Sequence, residues 1–419
     1  MKVLVIGSGG REHALIWKIS QSPKVDKIYA APGNAGIADL AETVNIKAED
    51  IESLLAFAKQ NEIDLTVVGP EVPLVLGISD LFEKAGLRVF GPGKHGALFE
   101  GSKAFTKAFM EFHKIPTAEY REYTSIEGAK EDIGIYGYPM VIKADGLAAG
   151  KGVVIAQDRH EAEKAVGEMM EDLKFGEAGA KIVYEEFLDG IEASILCFVD
   201  GKTIIPMASA QDYKKIFDGD KGPNTGGMGT YCPSKIYNDE IAEYVQKEIL
   251  DKYVEGVQKE AILFKGVLFV GLMIKNNKAK VIEFNVRFGD PETQVILPRM
   301  KNDLVDVMDA VIDQKLDQVE LEWIDESAVC VVMASGGYPE SYEKGKVITG
   351  LETLKDEMVF HAGTRKIDDD IVSNGGRVLN VVAMGDSIEE ARAKAYGNVE
   401  KLDFEKKTYR TDIGLLIGK

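Results

Sequence analysis

The sequence predicts an α/β protein with a doubly wound parallel-sheet unit at its N-terminus and a strand-rich α+β unit at its C-terminus. Three observations carry this expectation. Residues 1–92 alternate short apolar strands with amphipathic helical stretches, the pattern of a parallel sheet covered by helices. Each of those strands ends in a Gly- or Pro-bearing turn: Gly7-Ser-Gly-Gly10, Pro32-Gly-Asn34, Gly69-Pro-Glu71 and Gly91-Pro92. From residue 325 onward the composition shifts toward strand formers.

In the first block, strands are expected at Lys2–Ile6, Lys27–Ala30, Leu65–Val68 and Val89–Phe90. Helices are expected through Leu15, near Ile51–Gln60 and near Val75–Ala85. Residues 102–120 read as a helix plus linker. Ser102 is the natural N-cap, because its hydroxyl oxygen can accept a first-turn N–H. The middle of the chain holds strands at Val141–Lys143, Gly152–Ala156, Lys181–Phe187, Ser194–Val199, Thr203–Ala208, Gly266–Lys275 and Lys280–Val286. Its helices fall near Arg159–Met170, Asp239–Gln258 and Val305–Asp313. The last block has strands at Ala328–Ala334, Met358–Thr364 and Val378–Met384, and a helix near Ile388–Leu402. The expected divisions are 1–101, 102–320 with a small flap unit at 121–192, and 321–419.

Composition excludes several classes. A chain of 419 residues predicts roughly two to four domains. Its net charge of −19 argues against nucleic-acid and anionic-membrane partners, which need a basic face. Cys197, Cys232 and Cys330 are odd in number and far apart, so they read as buried small apolar side chains in a reducing compartment. The N-terminus starts a strand rather than a signal peptide. The longest apolar stretch, Gly266–Ile274, is too short to span a bilayer. A cytoplasmic monomer is expected.

The chemistry concentrates in Glu283-Phe-Asn-Val-Arg-Phe-Gly-Asp-Pro-Glu292. On a strand, alternate residues share a face. That alternation places Val281, Glu283, Asn285 and Arg287 together, and sends Ile282, Phe284, Val286 and Phe288 to the core. Two hard oxygens at Glu283 and Asn285 suit Mg²⁺, which takes few protein ligands and completes its shell from water and phosphate. The Arg287 guanidinium beside them suits an anion.

Other motifs leave two readings open. Gly7-Ser-Gly-Gly-Arg-Glu-His13 follows a strand and opens a helix, a place for a small phosphate or for a structural turn. It fails as a dinucleotide fingerprint, since position 12 is Glu and the second strand ends Tyr29-Ala-Ala31 with no acid for a ribose. His13 reads as a helix-face histidine with a local hydrogen bond. Lys143-Ala-Asp-Gly-Leu-Ala-Ala-Gly-Lys-Gly-Val153 is one residue short of a Walker loop. It is either a flap over a triphosphate or a hairpin turn. Ile182–Glu192 is a strand end suited to reading an adenine edge through its backbone, or an ordinary turn. Asp220–Gly229 packs four glycines into ten residues. Ordering such a segment is costly, so a substrate-binding loop is favoured over a mobile crossover.

Taken together, these runs resemble a known family, the phosphoribosylamine–glycine ligases of the ATP-grasp superfamily. The resemblance rests on Val3–Ala14, Ala31–Gly36, Val68–Glu71, Gly101–Lys107, Val141–Gly152, Gly222–Gly229, Glu283–Gln294 and Ser335–Pro339, in that order along nearly the whole chain. It implies an ATP-grasp fold and an amide-forming ligase that joins glycine to 5-phosphoribosylamine through a glycyl phosphate, in purine biosynthesis. The alternative within the superfamily is another purine ligase or carboxylase.

The resemblance also implies roles. Lys103, Lys143, Gly146, Gly150 and Gly152 would contact ATP phosphates. Glu185, Glu186, Phe187 and Leu188 would frame adenine, and Glu192 would hold ribose. Glu283 and Asn285 would bind Mg²⁺ or Mn²⁺. Lys143, Asp212 and Arg287 would be the catalytic side chains, the last two orienting glycine and the acyl phosphate. Gly9, Gly10, Asn34, Glu71, Asn224, Thr225, Gly226, Gly289 and Asp290 would complete the substrate site, with the phosphoribosylamine phosphate near the first glycine loop. A further acidic metal ligand on the preceding strand, present in many ATP-grasp relatives, is missing from Gly266–Ile274.

Overall fold

In the computed structural model, which describes residues 1–147, 152–172, 174 and 176–415, the first block is a five-stranded parallel sheet. Its spatial order is Glu42–Thr43, Lys27–Pro32, Lys2–Gly7, Leu65–Val68, Val89–Phe90. The strands Lys2–Gly7 and Leu65–Val68 are buried on both faces, as strands covered by helices on each side must be. The order reverses direction at Lys2–Gly7, so the crevice beyond the carboxyl ends of Lys2–Gly7 and Leu65–Val68 is where such a sheet meets a ligand.

A small antiparallel sheet follows, ordered Tyr120–Tyr123, Ile182–Glu186, Met140–Ala144, Val153–Ala156. It has a core of its own, in which Met140, Ile142 and Tyr184 pack on Ala162, Val166 and Met169. Facing it is a larger antiparallel sheet, ordered Ile204–Pro206, Ile191–Val199, Gly266–Lys275, Lys278–Asn285. The helix Lys103–Phe112 lies beside both. Ser102 caps it by accepting from Phe105 N, as expected. Phe99, Phe109, Tyr253, Phe264 and Phe284 stack edge-to-face behind the larger sheet.

The last sheet runs Gln211–Asp212, Gly229–Cys232, Ser327–Ser335, Arg377–Gly385, Met358–His361, with Lys407–Thr408 paired to Ser327–Ser335. Two of its strands therefore come from well before residue 321. This brings the glycine-rich segment of the middle block onto the C-terminal sheet. That segment is not a plain loop, because Lys215–Phe217 and Lys221–Asn224 form a two-stranded hairpin.

Three other expectations change. The helix expected over Val75–Ala85 is two helices, Glu71–Leu76 and Ile78–Lys84, broken at Gly77 with φ +92. That left-handed backbone ends a helix, and glycine adopts it without a Cβ penalty. The strand expected to run from Met358 to Thr364 stops at His361, and Thr364–Ile367 pairs instead with Asp370–Ser373. The helices at 159–171 and 239–259 each contain a wide turn, at Gly167–Glu171 and Gln246–Leu250. All three cysteines are buried and free. Among the described residues no helix is long and apolar enough to cross a membrane.

Candidate active site

The strand Lys278–Asn285 slips register against its neighbour. Gly271 faces Glu283, but Leu272 faces Val281. The extra residue, Ile282, makes a β-bulge, and a bulge resets which residues share a face. Strict alternation put Val281 beside Glu283 and buried Ile282. The structure reverses both. Val281 sits in the core with Ala279, Phe284 and Val286, while Ile282 lines a cavity together with Glu283, Asn285 and Arg287.

That cavity measures about 520 Å³ and lies between the small sheet, the larger sheet and the helix Lys103–Phe112, open toward the parallel sheet. It gathers most of the expected residues. Lys103 Nζ donates to Gly146 O at 3.1 Å. Gly146 has φ +149, and a Cβ there would stand 2.7 Å from the Ala178 Cβ. Lys143 Nζ donates to Ile282 O at 3.3 Å and lies 2.9 Å from Glu185 Oε1. Gly152, Glu186, Phe187 and Leu188 line the same wall. Gly150 falls outside the described residues. Across the cavity stand Glu71, Glu192, Asp212, Asn224, Thr225, Gly226 and Asp290.

Four expected substrate residues do not line the cavity: Gly9, Gly10, Asn34 and Gly289. The helix N-terminus expected to hold a phosphate is occupied by the protein's own acids. Gly9 N donates to Glu12 Oε2 at 2.6 Å, and Arg11 N to Asp290 Oδ2 at 3.1 Å. Gly10 is a close-packing position, since a Cβ there would fall 2.2 Å from Asn380 Nδ2. Asn34 spends its whole side chain internally. Its Nδ2 donates to Ser8 O and His361 O, and its Oδ1 accepts from Gly36 N and Ile37 N. A Cβ on Gly289 would meet Glu292 Oε2 at 2.5 Å. His13 is a buried helix-face histidine as expected, but its hydrogen bond is not local: its Nδ1 accepts from His361 N at 2.8 Å.

The structure adds Arg11, Glu100, Lys107, Lys214, Glu292 and Arg377 to the cavity. Lys214 and Glu292 stand within motifs that the sequence singles out, but only packing decides which lysine of Lys214-Lys215 turns inward. Arg377 carried no sequence signal, because it arrives from a distant strand. Its Nη1 donates to Gly226 O at 2.7 Å and Asp290 O at 2.8 Å.

Charge is balanced across the cavity. Arg287 is held between Glu100, 2.9 Å away, and Glu71, 3.5 Å away. Burial opposes the charge on Lys214, yet Glu192, Asp212 and Glu283 outweigh it and raise its pKa well above the usual value. Burial likewise opposes ionisation of Glu283, but Lys214, Lys143, Lys103 and Arg287 hold it below the ordinary carboxylate range. Glu283 and Asn285 thus offer an ionised carboxylate and an amide oxygen on one wall. Among the described residues no group of three or more His, Cys, Asp or Glu side chains is assembled for a metal. The Glu283 carboxylate and Asn285 amide oxygen fit a hard cation that takes one or two protein oxygens.

Glu292 behaves oppositely. Burial first, then the neighbouring Asp212, pushes its carboxyl up from 4.5 to about 8. Folded Glu292 keeps a proton that the unfolded chain has lost, so stability falls as pH rises from 4.5 to about 8. Denaturant unfolding of the ligand-free protein across that window should show this slope, and Glu292→Gln should flatten it.

Comparison with known proteins places these features in a family. Residues 1–100, 101–293 and 328–416 match the N domain, the ATP-grasp (A) domain and the C domain of phosphoribosylglycinamide synthetase. The chain is 52% identical to the phosphoribosylamine–glycine ligase of Vibrio vulnificus (strain CMCP6), across 99% of this chain and 98% of that protein. The crystal structure of the Thermotoga maritima phosphoribosylamine–glycine ligase superposes with a TM-score of 0.87 at 37% identity, covering 98% of this chain and all of that one. The biotin carboxylase of Campylobacter jejuni shares the fold alone, with a TM-score of 0.72 at 13% identity over 97% of this chain and 92% of that one. The chain belongs to the phosphoribosylamine–glycine ligase family and has its ATP-grasp fold.

Proposed function

We propose that this chain joins glycine to 5-phosphoribosylamine at the expense of ATP, giving glycinamide ribonucleotide, ADP and phosphate in purine biosynthesis. The observation that carries this reading is the single wall bearing Glu283 and Asn285, faced by Lys103, Lys143, Lys214 and Arg287 in one cavity. Such an array suits a polyphosphate, a divalent ion and a carboxylate held side by side.

The chemistry needs this arrangement. A carboxylate cannot expel oxide, so its oxygen first attacks the γ-phosphorus and the bond to the β-phosphate oxygen breaks. ADP leaves and glycyl phosphate remains. The amine of phosphoribosylamine then attacks the glycyl carbonyl carbon. The carbon–oxygen bond to phosphate breaks, and the nitrogen sheds a proton. Both steps move charge between oxygens, so positioning and electrostatics supply most of the acceleration. No side-chain nucleophile is needed.

Lys103 and Lys143 would hold the phosphates, with Gly146 and Gly152 giving the flap its close backbone approach. The strand end Glu185–Leu188 would read adenine through its backbone, and Glu192 would face the ribose. Asp212 and Arg287 would orient glycine beside the Asn224–Gly226 segment, while Glu71 and Asp290 would face phosphoribosylamine. Glu283 and Asn285 would hold Mg²⁺ or Mn²⁺. When bound, that ion would offset charge on the transferring phosphoryl oxygens.

ADP release should require glycine and freshly generated phosphoribosylamine together. Release with bicarbonate in place of glycine would overturn the assignment in favour of a carboxylase.

A further inference from the structure

Lys107 has no role in the reading above, yet it closes a ring of polar contacts at the wall of the cavity. Its Nζ lies 2.9 Å from Glu185 Oε2. Glu185 Oε1 lies 2.9 Å from Lys143 Nζ, and Lys143 Nζ donates to Ile282 O at 3.3 Å. On the other side, Lys107 Nζ donates to Thr117 Oγ1 at 2.9 Å, and Thr117 Oγ1 donates to Val281 O at 2.7 Å. The ring thus ends on two consecutive carbonyls, Val281 and Ile282, at the bulge that turns Glu283 into the cavity.

The side chains of Lys107, Glu185 and Lys143 are only 3%, 4% and 5% exposed. Two buried ammonium groups share one buried carboxylate. Removing either lysine leaves Glu185 with one cation, and removing Glu185 leaves both lysines without a carboxylate, so the group is expected to act as a unit. The ring also joins separate pieces of the fold: the helix Lys103–Phe112, the small sheet through Glu185 and Lys143, and the larger sheet through Val281 and Ile282. Surface charges seldom fix a side chain this way, because water competes for them. Here little water reaches the ring.

We infer that Lys107 is a positioning residue: through Glu185 it holds the Lys143 ammonium, and through Thr117 the bulge, in the geometry that receives the ATP phosphates. The inference rests on the proposed ATP role of Lys143. Lys107 acts through Glu185, and Lys143 makes the contact. Without Lys107, Glu185 has one cation instead of two, Lys143 is drawn toward it, and the Thr117 hydroxyl that donates to Val281 O loses the ammonium that orients it.

The test compares Lys107→Met, Lys107→Arg, Glu185→Gln and the Lys107→Met/Glu185→Gln double variant. ATP binding is measured by calorimetry with a non-hydrolysable ATP analogue, alongside KM for each substrate. Lys107→Met should weaken analogue binding and raise KM for ATP by about tenfold or more, the cost of losing a hydrogen bond to a charged group. KM for glycine should stay near wild type. Lys107→Arg should recover most of the loss. The double variant should be no worse than the more damaged single variant, since residues acting as a unit are non-additive. Additive losses, or a loss of melting temperature with unchanged ATP affinity, would overturn the inference. Because analogue binding needs neither glycine nor phosphoribosylamine, a failure of the ligase assignment would leave this measurement intact.

Discussion

Glu283→Gln should leave the fold intact and lower ADP release by about 100-fold, the order seen when one preorganised electrostatic contact is removed from a reaction centre. The change keeps side-chain size and an oxygen, and removes one negative charge. The folded chain does not depend on that charge for a hydrogen bond, since the cations around Glu283 act on its carboxylate through space. Its backbone stays paired with Gly271. What is lost is the ionised oxygen that four surrounding cations keep deprotonated, and with it the attraction for a divalent ion. Unchanged far-ultraviolet circular dichroism with lost turnover, partly recovered at raised Mg²⁺ or Mn²⁺, is the expected result. Turnover near wild type would remove Glu283 from the metal site.

Arg410→Met should destabilise the protein by about 3 kcal/mol, in the range measured when one partner of a buried ion pair is deleted. The Arg410 side chain is fully buried. Its Nε and Nη2 donate to Asp412 at 2.7 and 2.8 Å, and its Nη1 donates to Asp220 Oδ1 at 2.8 Å and Lys215 O at 3.0 Å. The guanidinium also lies 4.9 Å from the Tyr213 ring centre. Asp220 is half exposed and can rehydrate, whereas Asp412 is 14% exposed and cannot do so fully. This is why the low end of the range applies. The lost contacts anchor the 215–224 hairpin, so KM for glycine should rise together with the loss of stability. Arg410→Lys should rescue neither effect, because an ammonium cannot reproduce the paired bonds to Asp412. Denaturant midpoints and steady-state kinetics of both variants decide the matter.

Much of the active site was legible in the sequence because its residues lie on short contiguous runs. Glu283 and Asn285 end one strand and Arg287 follows two residues on, while Lys143 and Gly146 share another strand end. Spacing alone reaches such groups. The Val281 assignment failed for a definite reason. A bulge depends on how a strand pairs with its neighbour, and Leu272 and Gly271 are the residues that reveal it. Gly9, Gly10 and Asn34 mark the opposite limit. Glycine and asparagine at a strand-to-helix turn suit a ligand's phosphate or the protein's own packing equally well. In this structure Glu12, Asp290 and Asn380 lie against Gly9 and Gly10, and Asn34 is hydrogen-bonded to Ser8, His361, Gly36 and Ile37, contacts that no local spacing reveals.

By itself, then, the sequence determined the α/β class, the N-terminal parallel sheet and the identity of the chemical groups, since each depends on periodicity and residue type within a few turns of chain. Tertiary structure alone decided which groups face one another. Arg377 reaches the cavity across a sheet, Lys214 rather than Lys215 turns into it, and Lys107 and Glu185 meet over 78 residues of sequence. Burial then set their charges. Burial, and then the neighbouring Asp212, push the Glu292 carboxyl up to about 8, while four cations outweigh burial at Glu283 and keep it ionised.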